Sequence, residues 1–145
     1  MESFRRRYYN LVKLLKERAI AYYGDRLVSL VVFGSVASER FTPESDIDLL
    51  VVLQKVGSNY ETYIEFIEQV EEYVTFPLPI RVSPIIKSVD TLSVECRWLW
   101  GGIFRVLHDP KGFFVKFLRK LRRFEQKHLR FRESPIPHYE VIGDE

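Results

Sequence analysis

Val31–Val52, VVFGSVASERFTPESDIDLLVV, joins two apolar runs through a segment with a Gly-Ser turn at one end and an Asp-Ile-Asp triplet at the other. The first run, Leu27–Phe33 (LVSLVVF), is short and rich in branched residues, which is the composition of a buried strand. The second, Asp46–Leu53, is equally strand-favouring, and the strand period of two sets Asp46 and Asp48 on one face. Paired carboxylates repel each other unless a cation joins them. Carboxylate oxygens suit Mg²⁺ or Mn²⁺, and Mg²⁺ in phosphoryl-transfer sites takes only one or two protein carboxylates, leaving its other positions to water and substrate phosphates. Gly34 lets the backbone turn sharply with no side chain in the way. Phosphate could then approach closely, with the Ser35 hydroxyl and the amides of Val36–Ser38 as donors to its terminal oxygens.

A lone Gly-Ser is an ordinary loop, and a lone Asp can be a cap. Gly-Ser at a strand end, followed after Val36–Ser45 by Asp-x-Asp opening a second strand, is far more restrictive. Through GSVAS and SDIDLLVV the chain resembles the nucleotidyltransferase superfamily that includes DNA polymerase β, and within it the minimal nucleotidyltransferases of prokaryotes. The motif resemblance covers about Val31–Leu53, and the order of elements extends it loosely to about Asp109. The resemblance implies transfer of a nucleoside monophosphate from an NTP, ATP above all, to a hydroxyl, with pyrophosphate leaving. It also implies that Gly34 and Ser35 bind the triphosphate and that Asp46 and Asp48 bind the metal ions. It further implies a partner: a small helical protein of the HEPN type, encoded as a toxin, whose hydroxyl is adenylylated by the nucleotidyltransferase acting as antitoxin.

The chain also departs from that pattern. Active members supply a third carboxylate from a later strand, where it helps hold a metal and draws the proton from the attacking hydroxyl. Here the candidate strand is Leu78–Ile86, LPIRVSPII, which contains no acid. Its inward positions fall to Arg81 or Ser83, and an arginine there would compete with a cation. Asp90, Glu44 and Glu95 are the substitutes within reach of the pattern, although Asp90 after Ser88 is also what a helix start would carry. Three alternatives stay open: one metal ion and a substrate-derived group suffice, the chain binds nucleotide and transfers poorly, or the chemistry is lost. The second function class is therefore a weak or inactive nucleotide- and partner-binding module.

With 145 residues, 46% of them hydrophobic and 14% aromatic, a single packed domain over residues 1–133 is expected, followed by a tail at 134–145. The basic N-terminus lacks an uninterrupted apolar core and a cleavage site, and no apolar stretch reaches about 18 residues, so no membrane span and a cytoplasmic location are expected. Cys96 is the only cysteine, which excludes an intrachain disulfide, and it reads as a buried helix residue.

Charge is uneven although the formal net is +2. Lys111–Arg132 carries nine Lys or Arg against Glu125 alone, whereas Val56–Ile80 carries five Glu and no Lys or Arg. In a basic helix over residues 110–132, Phe114, Phe117, Leu121 and Phe124 recur on one side while Lys116, Lys120, Arg123, Lys127 and Arg130 line another. That stripe is a solvated face or a contact for RNA phosphate or an acidic partner, with no aromatics interleaved for base stacking.

The remaining periodicities predict an α/β (α+β) fold: a small mixed sheet carrying the site on one edge, with helices packed against it. A first helix from Phe4 stops at Gly24. A second presents Tyr60, Ile64, Ile67, Val70 and Val74 to the core and Glu61, Glu65, Glu68 and Glu72 to solvent. Phe76-Pro77 and Pro79 delimit the third strand, and Pro84 favours a sheet edge. Ser88–Trp100 reads as helical, Ile103–Leu107 as a short strand, and Asp109-Pro110 as a helix start. Trp98, Trp100 and Phe104 form a core cluster, with a nucleobase shelf or a homo-oligomer interface as the other readings.

Overall fold

Strand β1 (Leu27–Phe33) and strand β2 (Ile47–Leu53) pair antiparallel, with Leu27 opposite Leu53 and Phe33 opposite Asp48. The computed structural model describes residues 3–75, 80–133 and 135–142. Strand β3 (Val82–Ser88) runs parallel to β2 and strand β4 (Arg105–His108) antiparallel to β1, giving a mixed sheet in the order β3-β2-β1-β4. The inner pair is buried on both faces, which is why the sequence reads there as apolar runs rather than alternation.

Each face of the sheet has its own core. Leu49, Val51 and Leu53 point to the side covered by helix α1 (Phe4–Tyr23), which is capped by the Ser3 hydroxyl and ended by Gly24 at φ +56°. The same side receives α3 (Asn59–Phe66), which runs through a π-helical turn at Ile67–Glu71 into α4 (Glu72–Thr75); the one-turn helix α2 (Gly34–Ala37) follows β1. Leu50 and Val52 point the other way, onto α5 (Phe113–His128) through Phe114, Phe117 and Leu121. Each such side chain taken from water contributes about 1.5–3 kcal/mol. By the strand period Asp48 shares the α5 face with Leu50 and Val52.

Pro84 sits on the sheet edge as its sequence suggested. Because the Ile47 amide donates to the Arg81 carbonyl, the even-numbered residues of β3 turn their backbone outward, so the missing N–H of Pro84 costs no ladder bond. The Glu71 carboxylate takes the Val82 amide, and Thr91 Oγ1 takes that of Ser88, which blunts the edge further.

Several expectations are corrected. Ser88–Trp100 is not a helix: it is a run of turns with a 3₁₀ turn at Arg97–Leu99, because the Thr91 and Ser93 hydroxyls bond nearby amides and offer the backbone an alternative to helix. Cys96 is accordingly half-buried in a turn. Along α3 and α4 the buried line is Thr62, Phe66 and Val70 at i, i+4 spacing, while Tyr60 is 75% exposed; a π-helical turn at Ile67–Glu71 follows Phe66. The basic helix starts at Phe113 and ends at His128, after which β5 (Leu129–Arg132) and β6 (His138–Val141) form an antiparallel hairpin. Asp109 still serves the helix start, its carboxylate accepting from the Phe114 and Val115 amides and from Ser29 Oγ. Phe76-Pro77, Pro79, Ser134 and residues 143–145 lie outside the described residues. Among the described residues no helix is long and apolar enough to cross a membrane.

Candidate functional site

Gly34 follows β1 at φ +70°, a conformation that side-chain-bearing residues rarely adopt. A β-carbon built there would stand 2.2 Å from Asp48 Oδ2, so the bend packs its bare backbone onto that carboxylate. The pairing of Phe33 with Asp48 across β1 and β2 sets this approach. Asp46 lies one residue before β2, and Ser83, which stands opposite Asp48 on β3, donates its hydroxyl to Asp46 Oδ2 at 3.3 Å. Gly34, Asp46, Asp48 and Ser83 thus come together at one end of the three strands. Asp48 belongs to an inner strand, Gly34 directly follows one, and Ser83 belongs to the edge strand β3, so the site spans from the sheet edge that the sequence pattern suggested to its interior.

Burial, and then the charge of Asp46, push the Asp48 carboxyl above its ordinary range. Both causes disfavour the ionised form, and a bound cation would reverse them. Arg81 does not supply that cation: it is exposed, and among the described residues it makes no ion pair with either aspartate. Two carboxylates without a guanidinium between them, one of them packed against a glycine bend, fit a divalent ion in chemical kind.

The turn after Gly34 is partly spent on itself. The Ser38 amide donates to the Gly34 carbonyl and the Arg40 amide to that of Ser35, so Ser38 drops out of the expected phosphate donors. Ser35, Val36 and Ala37 lie within the single turn of α2, where a helix leaves its first amides without intrahelical acceptors.

The structure also assigns a position to each substitute for the third acid. Asp90 is exposed beyond Ser88, at the opposite end of β3 from Ser83, which at strand rise is about 17 Å away. Glu44 is exposed and accepts from Thr42 Oγ1, and Glu95 is exposed in the turns after β3. Among the described residues no group of three or more His, Cys, Asp or Glu side chains could hold a metal.

Tyr8 is the neighbour that sequence reasoning missed. Its hydroxyl, 1% exposed as a residue, donates to the carbonyls of Pro43 at 3.2 Å and of Ser45, the last residue before Asp46. Burial, and then the charges of Asp46 and Glu44, push its phenol up. Phe41 stacks on the Tyr8, Tyr9 and Phe4 rings, and Arg5 lies 4.8 Å over Phe41. The segment leading to Asp46 is therefore strapped to α1. A tyrosine in an apolar stripe carries no signal that would distinguish this from plain packing. On the α5 face Phe33 meets Trp98 at 5.5 Å and Phe104 at 6.4 Å, while Trp100 turns to Phe124. The three aromatics thus pack against one core cluster on the α5 face, Trp98 and Phe104 joined through Phe33.

Comparison with known proteins agrees with this layout. The family model of the nucleotidyltransferase domain matches residues 11–98. Two proteins of Methanocaldococcus jannaschii named as protein adenylyltransferases are similar: MJ1305, 23% identical over 78% of this chain and 80% of its own, and MJ0128, 37% identical over 52% of this chain and 66% of its own. A chain from the crystal structure of a toxin-antitoxin with AMP-PNP shares the fold at a TM-score of 0.52 and 16% identity, covering 81% of this chain and 90% of that one. The matched region runs from within α1 through both aspartates, the glycine bend and β3, and on that span the chain belongs to the nucleotidyltransferase domain family.

Proposed function

We propose that this protein transfers a nucleoside monophosphate from an NTP, ATP in the first instance, to a hydroxyl acceptor. The observation that carries the reading is the contact of the Gly34 bend with Asp48, beside Asp46, on one face of the sheet. Asp46 and Asp48 would hold Mg²⁺ or Mn²⁺, which when bound neutralises charge on the triphosphate. Gly34 and Ser35 would seat the triphosphate, the glycine by turning the chain at φ +70° close against Asp48 and the serine by donating its hydroxyl. Ser83 keeps Asp46 oriented through the hydrogen bond to Oδ2, and Tyr8 fixes the backbone just before it.

In the reaction the acceptor oxygen bonds to the α-phosphorus, the bond to the bridging oxygen breaks, and pyrophosphate departs. The acceptor proton leaves to water or to a phosphate oxygen, because Ser83 stands where a third carboxylate would serve as base. Positioning and charge neutralisation dominate such a step. The acceptor we favour is a hydroxyl on a partner protein, a helical HEPN-type toxin, with this chain as the antitoxin in the cytoplasm. The sequence resemblance and the toxin-antitoxin neighbour support that choice. The protein incubated with α-labelled ATP, Mg²⁺ and a candidate partner should label the partner or itself, and Asp46→Asn or Asp48→Asn should abolish labelling.

A second reading is a module that binds nucleotide and partner without turnover. Ser83 in place of an acid favours it. Mg²⁺-dependent binding of ATP with no transfer selects this reading, and absence of both binding and transfer refutes the site.

A further inference from the structure

Phe33, Asp48 and Ser83 stand directly opposite one another on β1, β2 and β3, so their side chains form one row on the α5 face of the sheet. Neighbouring strands are about 4.8 Å apart, which puts the Phe33 side chain one strand spacing from Asp48, and Phe33 is the residue immediately before the Gly34 bend. The Trp98 ring packs on that of Phe33, with centroids 5.5 Å apart and planes inclined by 40°. Phe33 thus joins an indole on one side to the candidate nucleotide site on the other. In the opposite direction the row ends at Ser83 on the sheet edge.

Of the aromatics in this region, Trp98 is the one left uncommitted. Trp100 donates its indole N–H to the Val94 carbonyl at 2.8 Å, packs on Phe124 and lies 5.9 Å from the Arg97 guanidinium. Phe104 is held between Phe33 and Phe114, with the Arg122 guanidinium 5.6 Å over its ring. Among the described residues Trp98 meets no ring other than Phe33 and no cation, and its indole N–H, which is not buried, has no acceptor. Trp98 is half-buried, and its backbone is fixed. It sits in the 3₁₀ turn Arg97–Leu99, where the Leu99 amide donates to the Cys96 carbonyl and the Leu99 side chain is fully buried in the core of the α5 face. A half-exposed indole held this way has little conformational freedom left to lose when a second ring covers it.

We propose that Trp98 is the stacking platform for the purine base of the substrate nucleotide, an inference that rests on the nucleotide reading of Gly34, Asp46 and Asp48. A nucleotide whose phosphates meet a metal at Asp48 carries its base one ribose away, and the row from Asp48 to Phe33 leads to Trp98. Stacking reads the face of a ring rather than its hydrogen-bonding edge. The platform therefore selects purines for their larger area and does not tell ATP from GTP. An aromatic side chain of the acceptor protein could also cover an indole, but continuity with the phosphate bend favours the nucleotide, since Phe33 and Gly34 are consecutive residues.

The test uses the full chain carrying Trp100→Phe, which leaves Trp98 as the single indole reporter. In Mg²⁺, ATP should quench Trp98 emission in proportion to occupancy. Inorganic tripolyphosphate, which lacks a base, should bind and compete with ATP without quenching. Titration calorimetry should give ATP and GTP the same affinity and UTP one several-fold weaker. Trp98→Leu, which keeps an apolar side chain in the turn, should weaken ATP about tenfold and remove the preference for purines, and Trp98→Phe should restore most of the loss. The affinity for tripolyphosphate should be the same in all these variants, which also shows that they are folded. Tripolyphosphate bound as tightly as ATP, with no quenching by ATP, would overturn the platform and leave the phosphate site standing. An ATP affinity unmoved by Trp98→Leu, with a raised KM for the acceptor protein alone, would overturn it too and give the indole to the acceptor. Failure of both ligands to bind would overturn the platform together with the nucleotide reading.

Discussion

In the metal-free protein, Asp48 is held beside Asp46 with part of its hydration removed, and replacing it with asparagine should stabilise the fold. Alternate residues of a strand stand about 6.8 Å apart. At an effective dielectric of 20 the repulsion of two charges at that distance is about 2.4 kcal/mol. The carboxylates are only partly buried, so solvent screening reduces this to about 1 kcal/mol. Asp48→Asn removes that repulsion and should raise the melting temperature in EDTA by about 3 °C for a domain of this size. The pH dependence has a defined sign. The Asp48 carboxyl is raised in the folded state, first by burial and then by Asp46, so its contribution is most favourable below the unfolded value and is lost as pH rises through the folded one. The advantage of Asp48→Asn should therefore shrink on acidification. With saturating Mg²⁺ and ATP the order should reverse, because the parent gains about 2.7 kcal/mol at 100 times the dissociation constant and the variant does not. Circular-dichroism melts of both proteins in EDTA and in Mg²⁺ with ATP measure this directly. A variant less stable than the parent in EDTA, or equally stabilised by Mg²⁺ and ATP, would refute the reasoning.

Gly34→Ala forces a side chain into a left-handed conformation and onto Asp48, and should cost at least about 2 kcal/mol in urea unfolding while removing ATP binding; wild-type behaviour would mean the bend is not where phosphate sits. Glu65→Gln should cost about 1 kcal/mol at neutral pH, because Glu65 pairs with Arg26 at 3.1 Å and accepts from Tyr22 at 2.7 Å at a partly exposed site. Hydrogen bonding from Arg26 lowers the Glu65 carboxyl, so this stability is present above the unfolded value, and melts at descending pH should show the difference vanish as pH falls through the folded one. Ser83→Asp places a third carboxylate next to Asp46 and opposite Asp48, and should raise the transfer rate while lowering metal-free stability by about 1 kcal/mol; a tighter metal site with unchanged transfer would show that no base acts from this position.

The parts legible in the sequence are those fixed by local periodicity. The apolar runs of β1 and β2 and the glycine stop after α1 were readable from spacing, whereas the strand expected from Asp46 begins at Ile47, so the alternation that predicts one face for Asp46 and Asp48 covers only Asp48. Also readable was the absence of an acid from β3, with Ser83 named among the residues that would stand in its place. What could not be read depends on tertiary choices. The hydroxyls of Thr91 and Ser93 turned an apparent helix into turns, and α3 settled with Thr62 and Phe66 in the core and Tyr60 out of it. Tyr8 reaches the segment before Asp46 across 37 residues of chain, a relation no local pattern encodes. The hairpin beyond α5 has short strands, and its pairing is visible only once the chain is folded.

The central claim is that one divalent ion joins the two aspartates to a triphosphate seated at the Gly34 bend. Crystals grown with Mn²⁺ and a non-hydrolysable ATP analogue test it through the anomalous signal of the metal. The expected result is a Mn²⁺ peak bonded to carboxylate oxygens of both Asp46 and Asp48, with phosphate oxygens against the Gly34–Ser35 backbone. A nucleotide bound elsewhere, or a metal that touches neither aspartate, would contradict the account.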